Sequence, residues 1–303
     1  MPARRSSKPA APLDIETLRS MLDRAEQACD VPARIATDPI GIVRRYERTE
    51  DLELVGLLAS CLAFGNVKAL RASIERALAS LGPDLSVLDD PPHVHAALRD
   101  FQHRMVRGDE LARVLVGARS LQRKHGSLGD AFALHLARTG ALRQALAAWV
   151  SDLRREGQFA LADPARRGPA HVLSDPSGPS ACKRLMLYLR WMVRPNDGVD
   201  LGLWRAVSPS ILVIPLDVHV HRLARNLGMT AASSASWRAA EQITAVLRLI
   251  APHDPVRYDF ALCHLGMANG CPERFDPSTC GACAIRRGCA YWRQRRVPKH
   301  PAP

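Results

Sequence analysis

The sequence predicts an all-α protein, and three observations carry that prediction. Ala, Leu and Arg dominate a composition that is 47% hydrophobic but only 5% aromatic, a balance that favours helices over sheets. Apolar residues recur at spacings of three and four. No run of alternating, β-branched apolar residues occurs before residue 210, and SPSILVIPLD is short and bounded by proline. At 303 residues the chain can bury a large core and fits one or two domains.

The elements follow in order. Residues 1–12 are basic and Pro-rich, composition that predicts a disordered tail. In LDIETLRSMLDRAEQA, Leu18, Leu22 and Ala25 share one helical face. DLELVGLLASCLAFGNVKALRASIERALASLG reads as two packed helices broken near Gly65 and Asn66. ELARVLVGARSLQRKHG, LGDAFALHLARTG and ALRQALAAWVSDLRREG are further helices, each closed by glycine. Residues 163–181 are rich in Pro, Gly and Ser and predict a loop or tight hairpin. The chain then enters KRLMLYLRWMV, a helix with Leu185, Leu189 and Met192 on one face and Arg190 and Arg194 expected on another, basic one. Trp191 and Trp204 are expected in the core. WRAAEQITAVLRLI and YDFALCHLGM read as helices, with Cys263 and His264 of the second assigned to packing.

No stretch reaches eighteen uncharged apolar residues, and MPARRSSKPAAPLD lacks the apolar core of a signal peptide. The expectation is a cytoplasmic protein without a membrane partner, in which clustered cysteines hold metal or act in catalysis rather than form disulfides. A net charge of +12 sets up a field that attracts polyanions, so nucleic acid is the first partner to consider.

Two segments carry candidate chemistry. In CPERFDPSTCGACAIRRGC, Cys271, Cys280, Cys283 and Cys289 are separated by eight, two and five residues. Two residues between thiolates turn both sulfurs toward one centre, and the outer pair completes four ligands, a set that suits either zinc or a [4Fe-4S] cluster. In IPLDVHVHRLARNLG, Asp217 precedes a helix whose Val220, Leu223, Ala224 and Leu227 form an apolar face ending at Gly228. The simplest role for Asp217 is an N-cap.

Together these segments resemble the helix-hairpin-helix DNA glycosylase superfamily with a C-terminal iron-sulfur loop, the endonuclease III and MutY group, with some likeness to archaeal 8-oxoguanine glycosylases. The family's cysteine pattern has a first gap of six; here it is eight, with the other spacings kept. Asp217, His219 and Arg222 match the family's VDTHVxR segment in order and spacing. The resemblance covers roughly residues 170–295 by motif.

The resemblance implies a helix-hairpin-helix DNA glycosylase fold of two helical domains with a cleft between them. One domain would span 48–215, including the hairpin region; the other would combine 13–47 with 216–295, followed by a basic tail at 296–303. It implies a [4Fe-4S] cluster on the four cysteines, with zinc as the alternative. It also implies a nucleoid-associated monomer acting on double-stranded DNA with a damaged or mispaired base. By the same resemblance Asp217 is the catalytic carboxylate and Lys183 a Schiff-base nucleophile for a lyase step. Arg190, Arg194, His219, Arg222, Arg286 and Arg287 contact DNA. The hairpin-like DPSGPSACK departs from the family's LPGVGxK, and the gap from Lys183 to Asp217 is longer than in the common members. The rival reading is a non-catalytic iron-sulfur DNA-binding protein on the same fold.

Overall fold

Short polar side chains set where the helices begin. Asn66 Oδ1 accepts hydrogen bonds from the amides of Lys68 and Ala69, and the hydroxyls of Ser127 and Ser236 accept from Asp130 and Ala239, so three helices start at capped residues. The computed structural model describes residues 13–268, 271 and 275–294. The expected basic tails at 1–12 and 296–303 lie outside them. The described residues are mostly helical, with one two-residue hairpin, which places the chain in the all-α class. No helix among them is long and apolar enough to cross a membrane.

The chain divides into two units, residues 31–212 and residues up to 30 together with those from 213. The first helix, α1 (Ile15–Gln27), belongs to the second of these. The larger unit runs through α2 (Val31–Thr37), α3 (Ile40–Val43), α4 (Thr49–Leu62), α5 (Val67–Leu81) and α6 (Pro91–Ala97) to the hairpin of β1 (Gln102–His103) and β2 (Val106–Arg107). It continues with α7 (Gly108–His125), α8 (Leu128–Thr139), α9 (Leu142–Glu156), α10 (Gly168–Val172) and α11 (Lys183–Val193). Residues 31–47, expected in the other domain, therefore belong here. The cause is local packing: α3 lies on α4, and Arg44 donates to the carbonyls of Val199 and Asp200. Within the expected loop at 163–181, α10 forms a helical turn, anchored where Arg166 meets the buried Glu110 at 2.8 Å.

Helix α7 is the axis of this unit, packed by α4, α6, α8 and α9. Its approach to α9 is close: a Cβ added at Gly117 would stand 2.4 Å from the Leu153 carbonyl oxygen and 2.9 Å from the Gly157 nitrogen. Phe132, Trp149, Tyr188 and Trp204 form one aromatic cluster, with Trp149 on Tyr188 and Phe132 on Trp204 stacked at 5.9 and 5.6 Å. Trp191 and Trp204 are both buried core residues.

Beneath that cluster lies Glu53, almost wholly buried. Its Oε1 accepts from Gly129 N (3.0 Å) and Trp204 Nε1 (2.7 Å), and its Oε2 from Leu128 N (2.9 Å) and Gln122 Nε2 (2.8 Å). Burial pushes the carboxyl above its ordinary value, and the four donors oppose that shift. One side chain thus joins α4 to α7, to the start of α8 and to the loop after α11.

The smaller unit combines α1 with α12 (Val218–Asn226), α13 (Trp237–Ile250), α14 (Asp259–Ala268), α15 (Pro277–Gly281) and α16 (Ala290–Gln294). Leu18, Met21, Leu22 and Ala25 are the buried face of α1, which packs on α13 and α14. Polar contacts fix its position: Tyr258 donates to Asp23 Oδ1 at 2.6 Å, and Arg257 pairs with Glu26 at 2.5 Å. Helix α12 lies against α14, where Gly266 leaves room for the His219 Cβ and Leu223. His264 is buried, its Nδ1 2.9 Å from the Phe260 carbonyl oxygen.

Candidate functional site

Asp217 caps α12. Its backbone is extended, and its Oδ1 accepts from His219 N and Val220 N, both at 2.9 Å. The Oδ2 atom makes no hydrogen bond among the described residues. Asp217 is half-buried, Val218 beside it is 63% exposed, and His219 is half-buried with a Nδ1 that has no hydrogen-bond partner among the described residues. The cap therefore occupies one carboxylate oxygen and leaves the other available at the head of a helix, where backbone N–H dipoles point outward.

The same helix reaches the cysteine loop. Arg222 donates from Nη1 to the Cys271 carbonyl at 2.7 Å, and the Cys271 amide donates to the Gly266 carbonyl of α14. Arg222, expected to face DNA, is half-buried, and this bond gives it a role in holding the first cysteine in place.

Beyond that point Asp276 caps α15. It accepts from the Thr279 amide and from the hydroxyls of Ser278 and Thr279, which pull its carboxyl down to about 2. Successive turns then carry the cysteines forward: Cys283 N donates to Cys280 O, and Cys289 N to Arg286 O. Cys271, Cys280, Cys283 and Cys289 all line one small cavity of about 30 Å³, whose other walls include Leu223, Leu265, Ile285 and Trp292. Burial, and next the neighbouring Cys289, push the Cys271 thiol up to about 11. Burial likewise raises Cys283.

Among the described residues no three Cys, His, Asp or Glu side chains converge on a point where a single ion could be held. Four cysteine sulfurs around one apolar-walled cavity are a soft donor set of the kind that zinc and thiolate-bound iron-sulfur clusters both take.

Arg286 and Arg287 are exposed on this loop. Arg286 donates to the Gly281 carbonyl and lies over the Trp292 ring at 5.4 Å, whereas Arg287 projects from the intervening turn.

Arg190 and Arg194, expected to contact DNA, are buried instead. Helix α11 is buried almost all round, and the two arginines are 2% and 6% exposed. Arg190 Nη2 lies 3.1 Å from Oδ1 of the fully buried Asp200; Arg194 Nη1 contacts Asp200 Oδ2 and lies 2.9 Å from Asp197 Oδ2. A buried charge persists only when paired, and these two hold the loop after α11 in place rather than meet phosphate.

Lys183, the first residue of α11, belongs to the larger unit, while Asp217 belongs to the smaller. It is half-buried, follows Cys182 at φ +47°, and its Nζ lies 3.3 Å from the Ala63 carbonyl oxygen. The hairpin-like stretch before it turns at Asp175–Gly178, and the carbonyls of Pro176 and Gly178 accept from Arg143 of α9 at 2.7 and 2.6 Å.

Sequence reasoning missed a second group of side chains, around the loop between α4 and α5. The Phe64 ring meets His103 and His171 edge-on at 4.6 and 4.5 Å, and the Arg184 guanidinium lies 5.1 Å from its centroid. The available signal was LAFGN, an aromatic residue and a glycine between two helices.

The family described as "Protein of unknown function (DUF2400)" matches residues 38–268, and the chain belongs to that family. The matched span includes Lys183 and Asp217 and ends before Cys271. No curated protein and no solved structure matches the chain.

Proposed function

We propose that this member of the DUF2400 family is a DNA N-glycosylase of base excision repair, acting on a damaged or mispaired base in duplex DNA. The observation that carries the reading is Asp217: a carboxylate fixed at the head of α12, with Oδ1 spent on the cap and Oδ2 without a partner among the described residues. Breaking an N-glycosidic bond builds positive charge on the sugar, and a fixed carboxylate oxygen stabilises that charge or orients an attacking water. The target base must first leave the stack.

Cys271, Cys280, Cys283 and Cys289 would hold the [4Fe-4S] cluster, whose contribution is to cross-link the loop. Arg222 positions Cys271, and Arg287 and Arg286 give the loop a positive surface suited to backbone phosphates. Lys183 is the candidate for a lyase step, in which its amine attacks C1′, the base departs and a Schiff base forms before β-elimination cuts the strand.

The rival reading, a DNA-binding protein without catalysis, is favoured by the cap itself, since an N-cap is a complete structural use for an aspartate. Incubation with duplexes each carrying one lesion separates the two. Base release lost in Asp217→Asn supports the glycosylase; tight binding without release across the panel supports the rival. Borohydride trapping of a covalent adduct, lost in Lys183→Gln, would assign the lyase step.

A further inference from the structure

The loop between α4 and α5 gathers positive charge with no carboxylate paired to it among the described residues. Arg184 is deeply set, and its hydrogen bonds go to the carbonyls of Cys61 and His171 and the hydroxyl of Ser174. None is to an acid, although a desolvated guanidinium ordinarily has an anionic partner, as Arg190 and Arg194 do in this molecule. Lys183 reaches the carbonyl of Ala63 from the same side. His171 has an Nε2 out of solvent reach and without a hydrogen-bond partner among the described residues. Burial and then Arg184 push its imidazole down to about 4, so it is neutral at pH 7 in a field that disfavours further positive charge.

Arg104 completes the group. It sits in the turn of the β1–β2 hairpin at φ +54°, a left-handed conformation uncommon for a side chain of its kind. There it is exposed and makes no ion pair among the described residues. Its guanidinium lies directly over the loop: a Cβ added at Gly65, itself at φ +89°, would stand 2.8 Å from Arg104 Nη1. Beside it, Gly65 and Asn66 are exposed residues whose amides make no hydrogen bond among the described residues, and they directly precede the 15-residue α5. Free amides in the turn before a helix, together with an unpaired guanidinium, are donors that suit an anion.

We propose that the α4–α5 loop, with Arg104 and Arg184, is a phosphate-binding site that takes a phosphodiester of the nucleic-acid backbone. Arg104 and the loop amides donate to the phosphate oxygens, while Arg184 supplies fixed positive potential from beneath. The site belongs wholly to the larger unit, so it is a grip on DNA separate from, and additional to, the cysteine loop of the smaller one. That the phosphate comes from DNA rests on the function proposed above; that the site takes phosphate does not.

The test uses the full-length protein with a labelled duplex, followed by anisotropy over a range of salt concentrations. Arg104→Gln is expected to weaken binding about 3- to 10-fold and to flatten the plot of log affinity against log salt by about one unit, the signature of one lost phosphate contact. Gly65→Ala, which crowds Arg104 and strains a positive φ, is expected to weaken binding in the same sense. Arg287→Gln is the comparison from the cysteine loop. Unchanged affinity and slope in Arg104→Gln, with weakening in Arg287→Gln, overturns the site and leaves the DNA reading standing. If the wild type ignores duplex at every salt concentration, calorimetric titration with inorganic phosphate decides. Saturable binding that is lost in Arg104→Gln upholds the phosphate site and overturns its DNA source; no binding overturns both.

Discussion

Replacing Glu53 by Gln changes one atom at the centre of the larger unit, and its cost can be worked from the bonds around it. Each carboxylate oxygen faces two donors, so an amide NH₂ in either position confronts two groups that also donate. Placed toward Oε1, the NH₂ strands both the Gly129 amide and the Trp204 indole. Placed toward Oε2, it strands the Leu128 amide, and Gln122 can accept only by turning its own carboxamide, losing its present bonds to the Glu50 carbonyl and from Arg119 Nη1. The two arrangements cost about the same. An orphaned buried donor costs about 1–3 kcal/mol and a lost hydrogen bond about 0.5–1.5 kcal/mol, so two orphans, or one orphan and two lost bonds, both give an expected loss of about 2–6 kcal/mol for Glu53→Gln. Such a loss is a large part of the roughly 5–15 kcal/mol of a typical domain. Urea unfolding followed by tryptophan fluorescence reads it, because Trp149, Trp191 and Trp204 all lie in this unit. A midpoint corresponding to a loss of less than about 0.5 kcal/mol at unchanged slope would refute the reasoning.

Three further outcomes are expected. Gly117→Ala should destabilise the larger unit by about 1–3 kcal/mol in the same assay, because the new methyl meets backbone atoms of α9 that cannot rotate away. Asp89 grips Arg119 through both oxygens at 2.9 Å, and Arg123 and Arg119 hold its carboxyl below the ordinary 3.8. A depressed value stabilises the fold above the unfolded pKa, so the stability gap between wild type and Asp89→Asn should be level above about pH 5 and close as the pH falls below 3.8. A gap that persists undiminished at about pH 3 would contradict this. Arg222→Met removes the bond to the Cys271 carbonyl, and chains purified without oxygen should carry less iron than wild type; equal iron content would count against that bond as the organiser of the loop.

The helix starts at Asn66, Ser127 and Asp217 and the buried face of α1 could be read from the sequence, because caps and helical spacing act over three or four residues. What could not be read depends on partners far along the chain. Arg190 looked like a surface cation because nothing in its helix reveals that Asp200, in the following loop, will be buried against it. Glu53, in an otherwise apolar run, was legible as an anomaly, but its four donors come from residues 122–129 and from Trp204. The boundary at residue 31 escaped notice because Arg44 is anchored by carbonyls at Val199 and Asp200, beyond any local pattern. At the candidate site the spacing placed Asp217 as a helix cap and grouped the four cysteines in one loop, whereas Arg222 turned inward and the cationic loop around Phe64 had no motif to announce it.

The two units differ in the order in which a ribosome releases them. Residues 31–212 emerge as one uninterrupted block, able to condense while translation continues. Helix α1 is made first but finds its partners, α13 and α14, only after that whole block has followed, a delay of roughly 9–36 s at about 5–20 residues per second. Until then Met21 and Leu22 have no apolar surface to cover them, and a holding chaperone would find its binding segment there.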